Sequence, residues 1–229
     1  MSREIEVKER QIVVPGEVIV SGDDFLPGEE TRREGNDIVA ERYGVVDYSG
    51  KIIKVIPLSG VFIPRRGNVV IGQVVDISFN GWIADINAPT SAFLPVMEVP
   101  RFVDKNNLSD FLDIGDFFCA KISSVKQKSV DLTLDSKGLG KLDDGIIVFI
   151  NPHKVPRVIG KEGSMIKIIK EETNCKIIIG QNGVVWIKGE RVEDELFAKK
   201  AVLYVTEKSF INGLTEKVKE FLIKEKEKI

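Results

Sequence analysis

The sequence predicts a multidomain chain: a β-rich N-terminal domain, a five-stranded barrel, and an α/β domain organised around a glycine loop. Three observations carry this expectation. Short β-branched runs separated by turn residues fill the first two thirds of the chain. Helical spacing of apolar residues is confined to the last third, from Ser164 onward. Between an apolar strand and the first of those helices stands Gly160-Lys161-Glu162-Gly163.

At 229 residues and 43% apolar, the chain is long enough for two or three small cores. The net charge of −2 gives no global basic signature, so the distribution of charge matters more. Residues 137–229 carry 18 Lys+Arg against 14 Asp+Glu, whereas residues 67–136 carry 5 against 9. The basic excess therefore falls in the segment with the glycine loop, although the Lys/Glu-rich C-terminal helix contributes part of it. Cys119, Cys175 and the single His153 show no zinc spacing, so no metal or cofactor is expected, and the cysteines read as small buried hydrophobes of a reducing compartment. Neither a signal-peptide core nor a membrane-spanning run is present, and a soluble, cytoplasmic protein is expected.

The first domain is expected over residues 1–62. Residues 1–10 are charged and read as loose. Val13-Val14-Pro15-Gly16-Glu17-Val18-Ile19-Val20 reads as strand, turn, strand, and the polar stretch Asp23–Asp37 as a long loop. Ile38-Val39-Ala40, Arg42–Val46 and Lys51–Ile56 supply further short strands.

The second domain is expected over residues 63–136. Its runs are Val69–Ile77, Phe79–Ile86, Ala92–Pro95, Leu112–Ile122 and Val130–Leu134, a count that suits a Greek-key barrel of the OB type. Phe79 and Trp82 are either aromatics that stack on unpaired bases or fillers of the barrel interior. Lys121, Lys126 and Lys128 offer positive charge on the late strands.

The third domain is expected over residues 137–229, with 136–145 as a glycine- and charge-rich linker. Ile146–Ile150 is a strand, and a short segment from Pro152 leads to the glycine loop. Lacking Cβ atoms, Gly160 and Gly163 allow a phosphate close to the main chain. Ser164 is positioned to cap the following helix, whose N-terminus favours an anion, and Arg157, Lys161 and Lys167 add charge. A second Gly-x-x-Gly, Gly180-Gln181-Asn182-Gly183, lies between two β-rich runs and reads as a hairpin turn without a ligand. Phe197, Ala201 and Val205 form a core stripe. Leu214, Val218, Phe221 and Leu222 form a second apolar face, for the same domain or for a partner.

The order strand, short segment, Ile-Gly-x-x-Gly, helix, two strands resembles a type I-like KH domain, which clamps single-stranded RNA. The valine-rich strand, Phe79-x-Gly81-Trp82 and Gly115-Asp116 resemble an S1 domain of the OB fold. Phe93-Leu94-Pro95 stands where many S1 domains carry a histidine. The series from Val14-Pro15-Gly16-Glu17 through Ile63-Pro64, Gly67 and Ile71-Gly72 to Val155–Ile166 resembles the archaeal exosome RNA-binding cap subunits of the S1-plus-KH type.

The resemblance implies a non-catalytic subunit that sits in three copies on a hexameric ring of RNase PH-like subunits. There it would gather A-rich single-stranded RNA and feed 3′ ends into the central pore. The RNA contacts would be Arg157, Gly160, Lys161, Gly163 and Lys167, with Phe79, Trp82 and Lys121 on the barrel. Pro27-Gly28-Glu29-Glu30-Thr31 departs from the family's Gly-His-Gly-Thr run, in the domain expected to touch the ring. Three rivals remain: a nuclease of the polynucleotide phosphorylase kind, a transcription or translation factor with S1 and KH modules, and an adaptor whose loop has lost its RNA because Glu162 offsets Lys161.

Overall fold

The computed structural model describes residues 11–100, 103, 107–127, 129–208 and 213–226. The expectations for residues 1–10, for Lys128 and for the last three residues lie outside these. The chain divides into two compact units, residues 1–60 and 61–229.

The first unit is built from seven short strands: β1 (Ile12–Val13), β2 (Val18–Ser21), β3 (Leu26–Pro27), β4 (Thr31–Glu34), β5 (Asp37–Ala40), β6 (Gly44–Ser49) and β7 (Ile52–Pro57). They form two sheets, ordered β1-β6-β7-β3 and β2-β5-β4. Period-two alternation sends Val13, Val46, Ile53 and Val55 inward, where they meet Val20, Ile38 and Ala40. The stretch Asp23–Asp37 is therefore not a loop, since it contains β3 and β4. Its polar side chains hid the strands because β4 buries only Thr31, whose hydroxyl donates to Ile53 O at 3.0 Å.

In the second unit, β8 (Val69–Ser78), β9 (Gly81–Asp85), β10 (Ala92–Pro95), β11 (Phe117–Val125) and β12 (Val130–Thr133) close into a five-stranded barrel. The closing contacts are the parallel pair β10–β12 and the antiparallel pair β11–β12. Trp82, Leu94, Phe118, Ile122 and Leu132 fill the interior. A sixth strand, β13 (Gly140–Leu142), pairs with Phe117–Cys119 at the start of β11. The reading of 136–145 as a linker is thus corrected. Its glycines and charges mask a segment held by a backbone ladder and by the Lys141–Asp116 ion pair.

The chain continues through β14 (Ile146–Phe149), α1 (Val155–Ile159), α2 (Ser164–Thr173), β15 (Lys176–Ile179), β16 (Val184–Lys188), α3 (Val192–Glu207) and α4 (Leu214–Lys226). The sheet order is β14-β16-β15, all antiparallel. Val148, Ile177, Val185 and Ile187 face the helices and meet Val158, Ile169, Phe197, Ala201 and Val205. Helix α4 docks on this same domain through Leu214, Val218 and Leu222. Phe221 stacks on Tyr204 with ring centroids 4.3 Å apart, and Lys226 reaches Glu172 of α2 at 3.3 Å.

The opposite face of this sheet is apolar too, and the barrel covers it: Ile147, Ile178, Val184 and Trp186 pack on Ile71, Phe117 and Leu142. Barrel and α/β domain therefore share a core.

Candidate nucleic-acid interface

The glycine loop is anchored from both sides before it opens to solvent. Val158 on α1 and Met165 and Ile169 on α2 are buried in the domain core. Between them, Gly160 N–H donates to Pro156 O at 2.9 Å, and Gly163 N–H to Gly160 O at 3.2 Å. Gly160 has φ +76°, and a Cβ there would lie 2.7 Å from both Cβ and N of Met165. Only glycine fits that position. Gly163 also has φ +76°, but the nearest heavy atom to a Cβ would be 3.9 Å away, so the space beside it is open.

Helix α2 begins at Ser164 with Gly163 in the cap position, and no side chain closes its first turn. The expectation that Ser164 caps the helix is corrected: Ser164 already has helical angles, φ −60° and ψ −40°. The amides of an uncapped first turn are those a helix offers to an anion. Arg157, Lys161 and Lys167 are all exposed around this corner. Lys167 is 3.8 Å from Glu171, an exposed and weak pair. Arg157 and Lys161 have no carboxylate within ion-pair distance among the described residues. Glu162 is exposed and left-handed, with φ 53°.

On the barrel the two candidate aromatics separate. Phe79, at the β8–β9 turn, is 85% exposed, whereas Trp82 is fully buried. Trp82 packs near Phe111 and donates its indole N–H to Leu112 O at 2.9 Å. Trp82 is therefore withdrawn as an RNA contact: its position on β9 points it into the barrel, and its one polar atom is satisfied there. Lys121 lies on the outer face of β11 and is exposed. The glycine-loop residues form one cluster; Phe79 and Lys121 belong to the barrel.

The second Gly-x-x-Gly is the β15–β16 hairpin turn, with a role the sequence did not disclose. Strand β8 outruns β9, which pairs only from Gln73 onward. The turn fills the vacant edge. Gln181 N–H donates to Val69 O at 2.8 Å, and Val69 N–H donates to Gln181 Oε1 at 3.0 Å. Asn182, fully buried, accepts from Ile71 N–H and donates to Ile71 O and Ile86 O, both at 2.8 Å. Asn87 Nδ2 donates to Asn182 O at 3.0 Å. A Cβ on Gly183 would stand 2.2 Å from Ile150 O, so packing alone requires that glycine. An Asn-Gly turn signal was visible, but nothing local marks its asparagine for burial.

Burial pushes the Cys119 thiol up to about 11 and also raises that of Cys175. Among the described residues no group of three His, Cys, Asp or Glu side chains could hold a metal, and no helix is long and apolar enough to cross a membrane.

Comparison with known proteins agrees with the fold. The KH domain family model matches residues 145–203. The chain is 47% identical over 221 residues to the exosome complex component Rrp4 of Methanothermus fervidus, covering 95% of this chain and 97% of that one. It is 44% identical to the component of the same name from Thermococcus kodakarensis, over 96% of this chain and 88% of the other. A crystal structure described as an exosome complex RNA-binding protein superposes with a TM-score of 0.67 at 33% identity, covering 73% of this chain and 98% of that one.

Proposed function

The chain belongs to the Rrp4 family of exosome complex components, and on that premise we propose that it caps the exosome's RNase ring, gathering single-stranded RNA and directing 3′ ends into the central pore. It is an RNA-binding component of the exosome rather than an enzyme. In this reading three copies sit on a hexameric ring of RNase PH-like subunits in the cytoplasm, and A-rich tails are preferred.

The observation that carries the RNA reading is the glycine loop. It combines a main chain open beside Gly163, an uncapped helix start, and the cations of Arg157 and Lys161, which have no acidic partner among the described residues. A phosphodiester satisfies all three at once. The second Gly-x-x-Gly is taken up in hydrogen bonds to β8, which supports reading the first as the clamp and weakens the analogy with factors carrying two KH copies.

The ring contact fits the first unit, whose β1-β6-β7-β3 sheet has an apolar outer face. Ile12, Val45 and Ile56 stand in register across it, as do Leu26 and Ile52. Ile12, Ile56, Leu26 and Ile52 are each about half exposed. The half-buried Asp47–Lys54 pair lies between the two stripes. Such a face suits a protein subunit better than water.

The test is a pull-down from cell extract combined with RNA binding by fluorescence anisotropy. Ring subunits should co-purify in stoichiometric amount, and Gly160→Asp should weaken RNA binding at least about tenfold, because left-handed strain and overlap with Met165 displace the loop. Recovery of polymerase or ribosomal proteins without ring subunits overturns the cap reading.

A further inference from the structure

One side chain of the glycine loop carries the wrong charge for an anion. Glu162 follows Lys161 directly, with Arg157 on α1 and Lys167 on α2 to either side, yet it is exposed and makes no ion pair or side-chain hydrogen bond among the described residues. Glu171, further along α2, is by contrast engaged with Lys167 at 3.8 Å.

The loop holds Glu162 where an anion would arrive. Its backbone is left-handed, with φ 53° and ψ 28°, and leads into Gly163, whose own left-handed angles, φ 76° and ψ 13°, start α2. Successive Cα atoms stand about 3.8 Å apart, so the carboxylate is tethered beside Gly163. There the space next to the main chain is open and the first turn of the helix is uncapped. An anion resting there lies within roughly 10 Å of the carboxylate, the Debye length at about 0.1 M salt, and like charges at that range repel. Arg157, Lys161 and Lys167 outnumber it, so the loop still attracts phosphate, but less than it would without Glu162.

We propose that Glu162 limits the affinity of the glycine loop for RNA: its charge opposes the phosphate held beside Gly163, so the loop takes a strand and releases it rather than retaining it. This rests on the RNA-binding reading of the glycine loop. Affinity differences within one interface appear mostly in the rate of release, and quick release suits a subunit that passes a strand onward. Glu162 acts by charge and not by closing the loop. The bonds that shape the loop run through the main chain, from Gly160 N–H to Pro156 O and from Gly163 N–H to Gly160 O, and they survive removal of the carboxylate.

The experiment measures binding of a labelled oligoadenylate of about four nucleotides by anisotropy, and its release by stopped flow, on the full chain over a range of potassium chloride. Wild type, Glu162→Gln, Glu162→Asp, Glu162→Lys and Gly160→Asp are compared, each checked by thermal melting. Glu162→Gln keeps the size of the side chain and removes its charge. It should bind about two- to threefold more tightly at about 0.1 M salt, the effect of one unit charge about 6–8 Å away in water, with release slowed by the same factor. Glu162→Asp keeps the charge and should stay at the wild-type affinity, while Glu162→Lys reverses it and should bind more tightly again. The gap between Glu162→Gln and wild type should close as potassium chloride is raised and the Debye length shortens. A gain that persists undiminished at high salt reports an altered backbone and overturns the charge role; so does equal or weaker binding by folded Glu162→Gln. If Gly160→Asp keeps the short RNA, the glycine-loop reading itself fails. If Gly160→Asp loses it while Glu162→Gln binds no better than wild type, the loop stands as the clamp and only the role of Glu162 falls.

Discussion

Asn182 and Ile71, 111 residues apart in the chain, pair as two neighbouring strands would: Ile71 N–H donates to Asn182 Oδ1 at 3.3 Å, and Asn182 Nδ2 donates to Ile71 O at 2.8 Å. The carboxamide serves as a peptide unit in side-chain form. It completes the edge of β8 where β9 has ended, and its second N–H satisfies Ile86 O as well.

Asn182→Ala leaves three buried backbone groups without partners, each costing about 1–3 kcal/mol. A loss of about 3 kcal/mol is expected, which lowers Tm by roughly 6–12 °C in a chain of this size. Thermal melting followed by circular dichroism measures it. A change of less than about 1 kcal/mol would mean that water replaces the side chain at no cost.

The two glycines of the RNA loop should respond differently to alanine. At Gly160 the new Cβ meets Met165 at 2.7 Å, so left-handed strain and overlap add. At Gly163 only the strain of about 1–2 kcal/mol applies. RNA affinity should therefore fall further for Gly160→Ala than for Gly163→Ala, as anisotropy titrations of the two variants would show.

Phe79 and Trp82 divide function from stability. Phe79→Ala removes an exposed ring, so stability should stay within about 0.5 kcal/mol of wild type. RNA binding should weaken by about 1–3 kcal/mol if the ring stacks on a base. Trp82→Ala empties the barrel interior and should cost about 3–5 kcal/mol of folding stability. Parallel urea melts and RNA titrations separate the two effects.

Acid should weaken the barrel through Asp131. The Ser124 hydroxyl, donating at 2.6 Å, and then Lys126 hold this carboxyl below the usual carboxylate range. A folded-state value below the unfolded one stabilises above about pH 4, and that contribution is lost as pH falls through the folded value. Asp131→Asn should therefore be less stable than wild type at neutral pH by under about 1 kcal/mol, with the gap closing in strong acid. Melting curves at the two pH values test this.

Much of the architecture was legible because it rests on local periodicity. The strand–loop–helix order around Gly160 and the stripe Phe197, Ala201, Val205 each follow from residues a few positions apart. What stayed hidden depends on distant partners. Gly140–Leu142 looks like a linker until Phe117–Cys119 is beside it. Trp82 and Phe79 are three residues apart and chemically alike, and only the closure of the barrel decides which one is buried. Ser164 has the composition of a cap, but the left-handed Gly163 takes that position first.

The borrowed strand edge also has a consequence for biogenesis. The barrel sequence leaves the ribosome before residues 180–183 do, so the nascent barrel waits with the Val69–Ile71 edge bare and Ile71 uncovered. An open edge of that kind recruits other strands. The interval closes only when the β15–β16 hairpin emerges and docks, which makes the later-made domain the folding partner of the one before it. Fragments ending near residue 136 should accordingly aggregate, while the same barrel inside the whole chain does not.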